Sequence, residues 1–258
     1  MQLAGNVAIV TGGGRGIGRA VALLFAAAGA SVVVASRTVG EGETTVALIR
    51  EIGGVARFIP TDFGQDTQVR DLVAETVRGY GRLDVLVNNA GIGGPSKPLA
   101  ETSAAEWDRV IDTNLKGCFL GMRYAIPHMK GGGGGAIVNI SSVLAEQTLP
   151  GCTAYTASKA AIIGLTKATA LEVGRDGIRV NCIQPGSTDT LMMWDGLTDT
   201  ERVEVEPQVA NAAPLGTVGR PEEIARVALF LVSDASSFMT GASVLVDGGL
   251  LTRIATVR

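Results

Sequence analysis

Val7-Ala-Ile-Val-Thr-Gly-Gly-Gly-Arg-Gly-Ile-Gly18 is the stretch from which the rest of the chain is read. Its first four residues are apolar and mostly β-branched, as a buried strand requires. A glycine turn follows, and then an Ala- and Leu-rich helical run from about Arg19 to Ala28. Strand, glycine turn and helix in that order make a dinucleotide-binding unit. Gly12, Gly16 and Gly18 let the backbone turn sharply, bring amides against a pyrophosphate and let the helix pack close to the strand. The helix N-terminus then faces the negative charge. The spacing is Gly-x-x-x-Gly-x-Gly rather than Gly-x-Gly-x-x-Gly, and Gly13 and Gly14 add slack to the turn.

Further strands alternate with helical runs, which predicts an α/β chain with a parallel sheet. Strands are expected at Ser31–Ser36, Ala56–Thr61, Leu83–Val87, Ala136–Ile140, Ile178–Ile183 and Ser243–Val246. Ser103 to about Met129 reads as one long or kinked helix with Asn114 in its middle, where its amide competes for backbone groups. Gly131 to Gly135 reads as a connector more flexible than a turn requires, without chemistry of its own. Thr188 to about Gly216 has Met, Trp, acidic residues and prolines but little periodicity, and is expected to be an irregular lid over a binding site. Pro221 to Val232 opens with Pro-Glu-Glu, a favourable helix start.

Length and charge narrow the function. A chain of 258 residues fits one α/β domain, 1–258, with a sizeable core. Its 22 basic and 25 acidic residues give −3, and the basic residues are scattered, which speaks against nucleic acid as a partner. Cys118, Cys152 and Cys182 have no paired spacing, and the single His128 has no ligand neighbour. A reducing compartment without a metal site is expected. The apolar run Ala20–Ala35 is too short and too punctuated to span a bilayer, and Met1–Asn6 does not read as a signal peptide. A cytoplasmic location is expected.

At the end of the second strand, dinucleotide enzymes distinguish NAD from NADP, and an acidic residue there would bind the ribose 2′-hydroxyl. This chain has Ser36 followed by Arg37, about 20 residues after the last glycine, and Arg15 in the turn is a second cation. Both point to NADP(H), with NAD(H) possible, because guanidinium suits a 2′-phosphate. Arg37 could instead open a solvated loop, and Glu41 and Glu43 stand close by. Asp62, at the end of the third strand, could accept from an adenine amino group or cap the next helix near Gln65. Asn88-Asn-Ala-Gly91 could pin neighbouring backbone and let a cofactor lie close, or form a plain turn.

Tyr155 and Lys159 stand four apart on a helical run that continues to about Val173, so they share one face. A free phenol titrates near ~10. An ammonium about 4 Å away at an effective dielectric of about 20 attracts a phenolate by roughly 4 kcal/mol, enough to make the pair a usable acid or base near neutral pH. Ser142 closes the fifth strand and precedes Tyr155 by thirteen residues. The two hydroxyls could converge on one substrate oxygen.

These motifs in this order resemble the short-chain dehydrogenase/reductase (SDR) family over essentially the whole chain. The resemblance implies a three-layer Rossmann fold with a doubly wound seven-stranded parallel sheet, and hydride transfer between nicotinamide C4 and a carbinol or carbonyl carbon. It implies that Tyr155 exchanges the proton, Ser142 orients the substrate oxygen, Lys159 binds nicotinamide ribose hydroxyls and favours the Tyr155 phenolate, and Asn114 holds a water in a proton relay. The cofactor set it implies is Gly12, Gly14, Arg15, Gly16, Ile17, Gly18, Ser36, Arg37, Asp62, Phe63, Asn89, Ala90, Gly91, Tyr155, Lys159, Pro185, Gly186, Thr188 and Thr190. It further implies a homotetramer built through the long helices at about 103–130 and 154–173.

Three functions fit the residues. The first is oxidoreduction of ketones and secondary alcohols, and the second a non-catalytic nucleotide sensor or scaffold, against which the filled catalytic positions count. The third is reduction of a 3-oxoacyl thioester on a carrier protein. The lid's Asp195, Asp199, Glu201, Glu204 and Glu206 against Arg202 alone disfavour the third, and Leu191, Met192, Met193 and Trp194 suit an apolar wall or ordinary packing.

Overall fold

The computed structural model describes residues 1–252; residues 253–258 of the expected domain lie outside the described part. Seven runs rich in Val, Ile and Ala become strands: β1 (Val7–Thr11), β2 (Ser31–Ser36), β3 (Val55–Pro60), β4 (Val85–Asn88), β5 (Gly135–Ile140), β6 (Ile178–Pro185) and β7 (Ser243–Val246). They pair in parallel in the order β3-β2-β1-β4-β5-β6-β7. All five residues of β1 are buried, which is the state of a central strand covered on both faces.

Helices cover both sides. Helices α1 (Gly16–Ala27) and α2 (Val39–Glu51), with α8 (Pro221–Val232), close one core around Phe25, Val34 and Leu231. The other core is built from α3 (Asp66–Tyr80), α5 (Gly117–Gly131) and α6 (Thr153–Val173) around Leu86, Met129 and Ile162. This is the expected three-layer doubly wound fold. Strand order reverses between β1 and β4, and the crevice beyond their carboxyl ends is where such sheets bind ligands.

One expectation is sharpened and two change. The long helix before β5 is α4 (Ala104–Ile111), a π turn at Asp112–Lys116, and α5. Asn114 lies in that π turn, and its carboxamide bonds outside the helix, to Ile92 and Ser158. The five-glycine connector shrinks to Gly132–Gly134, because Gly131 ends α5 and Gly135 starts β5. Gly134 has φ 132°, and a β-carbon there would meet the Gly177 carbonyl oxygen at 2.6 Å, so the glycine serves a close approach rather than slack. The lid is not irregular throughout. Helix α7 (Asp199–Ala212) fills its second half, started by a Thr198–Glu201 capping box that satisfies two backbone donors.

Among the described residues, no helix is long and apolar enough to cross a membrane, and no group of three His, Cys, Asp or Glu side chains is arranged to hold a metal ion.

Candidate active site

The glycine turn leaves β1 and is braced from two sides. A β-carbon on Gly18 would lie 2.2 Å from the Gly12 carbonyl oxygen and 2.5 Å from Asn89 Nδ2, so only hydrogen fits there. Asn89 Nδ2 donates to the Thr11 and Gly12 carbonyls at 2.9 and 3.3 Å, while the Asn89 and Ala90 amides both donate to Thr11 Oγ1 at 2.9 Å. The Asn-Asn-Ala-Gly run therefore pins neighbouring backbone rather than forming a plain turn. Arg19 donates to the Gly14 carbonyl and to Thr45 Oγ1; neither residue was expected at the site. Arg19 stands four residues after Arg15 on the emerging helix, whereas nothing local marks Thr45.

A pyrophosphate fits this cradle. No side chain caps the α1 N-terminus and no acidic residue occupies its first turn, which leaves amides and a positive dipole end for an anion. Ile17 is partly buried against the adjoining core. At the end of β2, Ser36 Oγ donates to the Thr38 carbonyl, and exposed Arg37 has no ion-pair partner among the described residues. Arg15 sits 3.6 Å from Glu41, and both remain partly exposed.

Asp62 does not cap α3. Its Oδ1 accepts from the Gly64 amide at 3.0 Å, closing a turn two residues long, and the α3 N-cap is Gln65 without a side-chain bond. Phe63 puts its side chain into the core, so only its backbone can face a nucleotide. On the far wall, Gly186 donates to the Val246 carbonyl, Thr188 Oγ1 donates to the Gly186 carbonyl, and Pro185 is buried. The Thr190 methyl reaches to 3.1 Å from where a Gly16 β-carbon would stand, so the root of the lid touches the glycine turn.

Tyr155, Lys159, Asn114 and Gly91 come together beside this floor. Lys159 is buried, donates from Nζ to the Ile140 carbonyl at 2.8 Å, and sits 5.5 Å from the Tyr155 ring centroid. A β-carbon on Gly91 would stand 3.3 Å from Asn114 Oδ1 and 3.5 Å from Lys159 Nζ. Asn114 spends its carboxamide on the Ile92 amide and carbonyl and on Ser158 Oγ. Its side chain is a brace between the π turn, the segment after β4 and α6. Ser142 lies two residues beyond the adjoining strand β5, and its Oγ accepts from the Leu144 amide at 3.1 Å.

Two serines were missed. Ser141 Oγ donates to the Lys159 carbonyl at 2.7 Å, and Ser158 Oγ donates to the Tyr155 carbonyl at 2.7 Å. They tie α6 to β5 and to the π turn. Each is adjacent to an expected site residue, the only signal that could have found it.

Two of the three cysteines are withdrawn. Burial pushes the Cys118 thiol up to about 12 and raises that of Cys182, so neither is a thiolate near neutral pH. His128 is exposed in the last turn of α5. An open cleft of about 550 Å³ lined by Thr148, Pro150, Gly151 and Ala157 has neither Tyr155 nor Ser142 in its wall.

A glycine-lined nucleotide floor, with a buried lysine and a tyrosine on one helix beside it, defines the class of the molecule as a dinucleotide-dependent oxidoreductase. Residues 12–251 match the family described as Enoyl-(Acyl carrier protein) reductase. The 3-oxoacyl-(acyl-carrier-protein) reductase FabG of Chlamydia muridarum is 43% identical, over 96% of this chain and 98% of its own. The cis-4-hydroxycyclohexanecarboxylate dehydrogenase of Sinomonas cyclohexanicum is 42% identical, over 95% of this chain and 96% of its own. Among solved structures, a 7α-hydroxysteroid dehydrogenase complexed with NADH and 7-oxo glycochenodeoxycholic acid has a TM-score of 0.90 at 36% identity, covering 96% of this chain and 95% of that one. The chain belongs to the short-chain dehydrogenase/reductase family. It is an oxidoreductase of CH-OH and C=O groups in small molecules, in a family whose members bind NAD(P)(H).

Proposed function

We propose that the chain acts as one catalytic unit, with a lid at about 188–216, and interconverts a ketone and a secondary alcohol with NADP(H) through Ser142, Tyr155, Lys159 and Asn114. The convergence of Lys159 Nζ, the Tyr155 ring, Asn114 and Gly91 beside the glycine turn carries this reading. The nicotinamide, when bound, supplies or accepts a hydride at C4. Tyr155 gives the carbonyl oxygen its proton, or takes it back from the carbinol. A serine hydroxyl has one proton and two acceptor sites, so Ser142, with an acceptor site on the Leu144 amide, keeps its proton for the substrate oxygen. Lys159 has three donors and spends one on Ile140; the other two serve the ribose hydroxyls, and its charge offsets negative charge developing on the Tyr155 oxygen. Asn114 and Ser158 fix the distance between the π turn and α6.

The coenzyme preference rests on Arg37. An exposed guanidinium without an ion-pair partner among the described residues suits a 2′-phosphate, and no carboxylate stands at position 36 or 37 to hold a 2′-hydroxyl. Arg15 shares its charge with Glu41 and counts for less. Replacing Arg37→Gln is expected to raise the KM for NADPH by about 10- to 100-fold, the worth of a charged hydrogen bond, while that for NADH changes little. A wild-type KM lower for NADH than for NADPH would overturn the preference.

The substrate is proposed to be a small neutral or apolar carbonyl compound. Similarity to a carrier-protein-dependent reductase favours a thioester instead, but the lid's acidic residues leave Arg202 as their one counter-charge, and it is already paired with Asp189 and Glu206. A screen of carbonyl compounds and acyl thioesters with each reduced nucleotide separates the two, and turnover confined to thioesters would overturn our choice. A cytoplasmic homotetramer is proposed through α5 and α6, where Phe119 and Leu171 are exposed; a monomer in sedimentation velocity would exclude it.

A further inference from the structure

We infer that Asp189, Trp194 and Arg202 form a latch that positions Thr190 against the glycine turn and thereby sets nucleotide affinity. This rests on the reading of that turn as the nucleotide site. After β6 the chain is held as far as Asp189. Thr188 pairs with Gly219, and the Asp189 amide donates to the Gly219 carbonyl at 2.8 Å. Thr190 follows immediately and touches Gly16. The lid then runs through Trp194 into α7.

Asp189 is where the lid returns to its own root. Its Oδ1 accepts from Trp194 Nε1 at 2.7 Å and from Arg202 Nη2 at 2.9 Å. The Arg202 guanidinium stands over the Trp194 ring, 4.8 Å from its centroid, and its Nε donates to Glu206 Oε2 at 3.3 Å. Trp194 is therefore buried packing rather than an exposed wall of the lid, whereas Leu191 and Met192 remain exposed.

No residue of α7 is fully buried, and Pro207 interrupts its interior, so apolar packing fixes this helix weakly. A part-exposed ion pair alone would add little. Here the pair also satisfies a buried indole N–H, which needs an acceptor, and stacks a cation on the ring. The three groups hold one another, and any displacement passes to Thr190 through a single peptide bond. Asp189, Trp194 and Arg202 act through Thr190, which makes them positioning residues.

The test uses Asp189→Asn, Arg202→Met, the double variant and Arg202→Lys in the full-length protein. NADPH and NADH affinities are measured by nucleotide fluorescence, and lid accessibility by glutamyl endopeptidase cleavage of the nucleotide-free protein. Loosening the lid lowers the fraction of molecules ready to bind, and the dissociation constant rises by the same factor. NADPH affinity is expected to fall about 5- to 20-fold in each single variant, with no further loss in the double variant. Turnover at saturating nucleotide stays within about twofold, lid cleavage accelerates, and Arg202→Lys recovers part of the affinity. Wild-type affinity in Asp189→Asn and Arg202→Met would overturn the latch, whether or not cleavage accelerates. Failure of the wild-type chain to bind either nucleotide would overturn the functional reading, and the latch with it.

Discussion

Tyr155→Phe is expected to lose about 10³- to 10⁴-fold in turnover while binding NADPH within about twofold of wild type. A positioned acid or base contributes about 10²- to 10⁴-fold, and a phenyl ring in this place has no proton to exchange. The rest of the site stays assembled. Lys159 is anchored by the Ile140 carbonyl rather than by the phenol, and the Tyr155 main-chain carbonyl is held by Ser158. Phe fills the same volume, so the loss falls on the chemical step and leaves nucleotide affinity alone. Isothermal titration with NADPH beside steady-state turnover separates the two effects. Activity of Tyr155→Phe within tenfold of wild type would remove Tyr155 from its proposed role.

The second large effect is expected at Gly18→Ala. The added carbon would stand 2.2 Å from the Gly12 carbonyl oxygen and 2.5 Å from Asn89 Nδ2, and the first of these is backbone with no rotamer to adopt. Either the turn opens or α1 shifts away from β1, and both displace the amides that face the pyrophosphate. Nucleotide affinity should fall more than about 100-fold, with a stability loss of about 1–3 kcal/mol from overpacking. Gly40→Ala is the control. Gly40 lies in α2 with nothing within 4 Å of its added carbon, and a helical Gly→Ala exchange stabilises by roughly 0.5–1 kcal/mol. Thermal unfolding with and without NADPH reads both. Equal nucleotide-induced stabilisation in Gly18→Ala and wild type would contradict the assignment of the turn.

Much of this was legible in the sequence because it depends on short spacings. Tyr155 and Lys159 are one helical turn apart, and the strand, glycine turn and helix from Val7 to Ala28 are contiguous. What escaped depends on contacts across the fold. Thr45 reaches the Gly14 carbonyl from 31 residues away, and Ser158 meets Asn114 across 44. Helix α7 was missed because it has no apolar stripe and contains Pro207, although Thr198-x-x-Glu201 was a readable start signal. Of the two partners open to Asp62, the helix cap is not taken, because a short Asp side chain reaches the Gly64 amide two residues on more easily than a helix start four residues away.

The central step is a hydride leaving nicotinamide C4 for a carbonyl carbon while Tyr155 delivers the proton. NADPH carrying deuterium at both C4 positions, incubated with the wild-type enzyme and its best carbonyl substrate, tests this most directly. Mass spectrometry should find one deuterium on the carbinol carbon of the product and none on its oxygen after exchange in ordinary water. Alcohol without carbon-bound deuterium, or nucleotide binding with no reduction of any carbonyl compound offered, would contradict it.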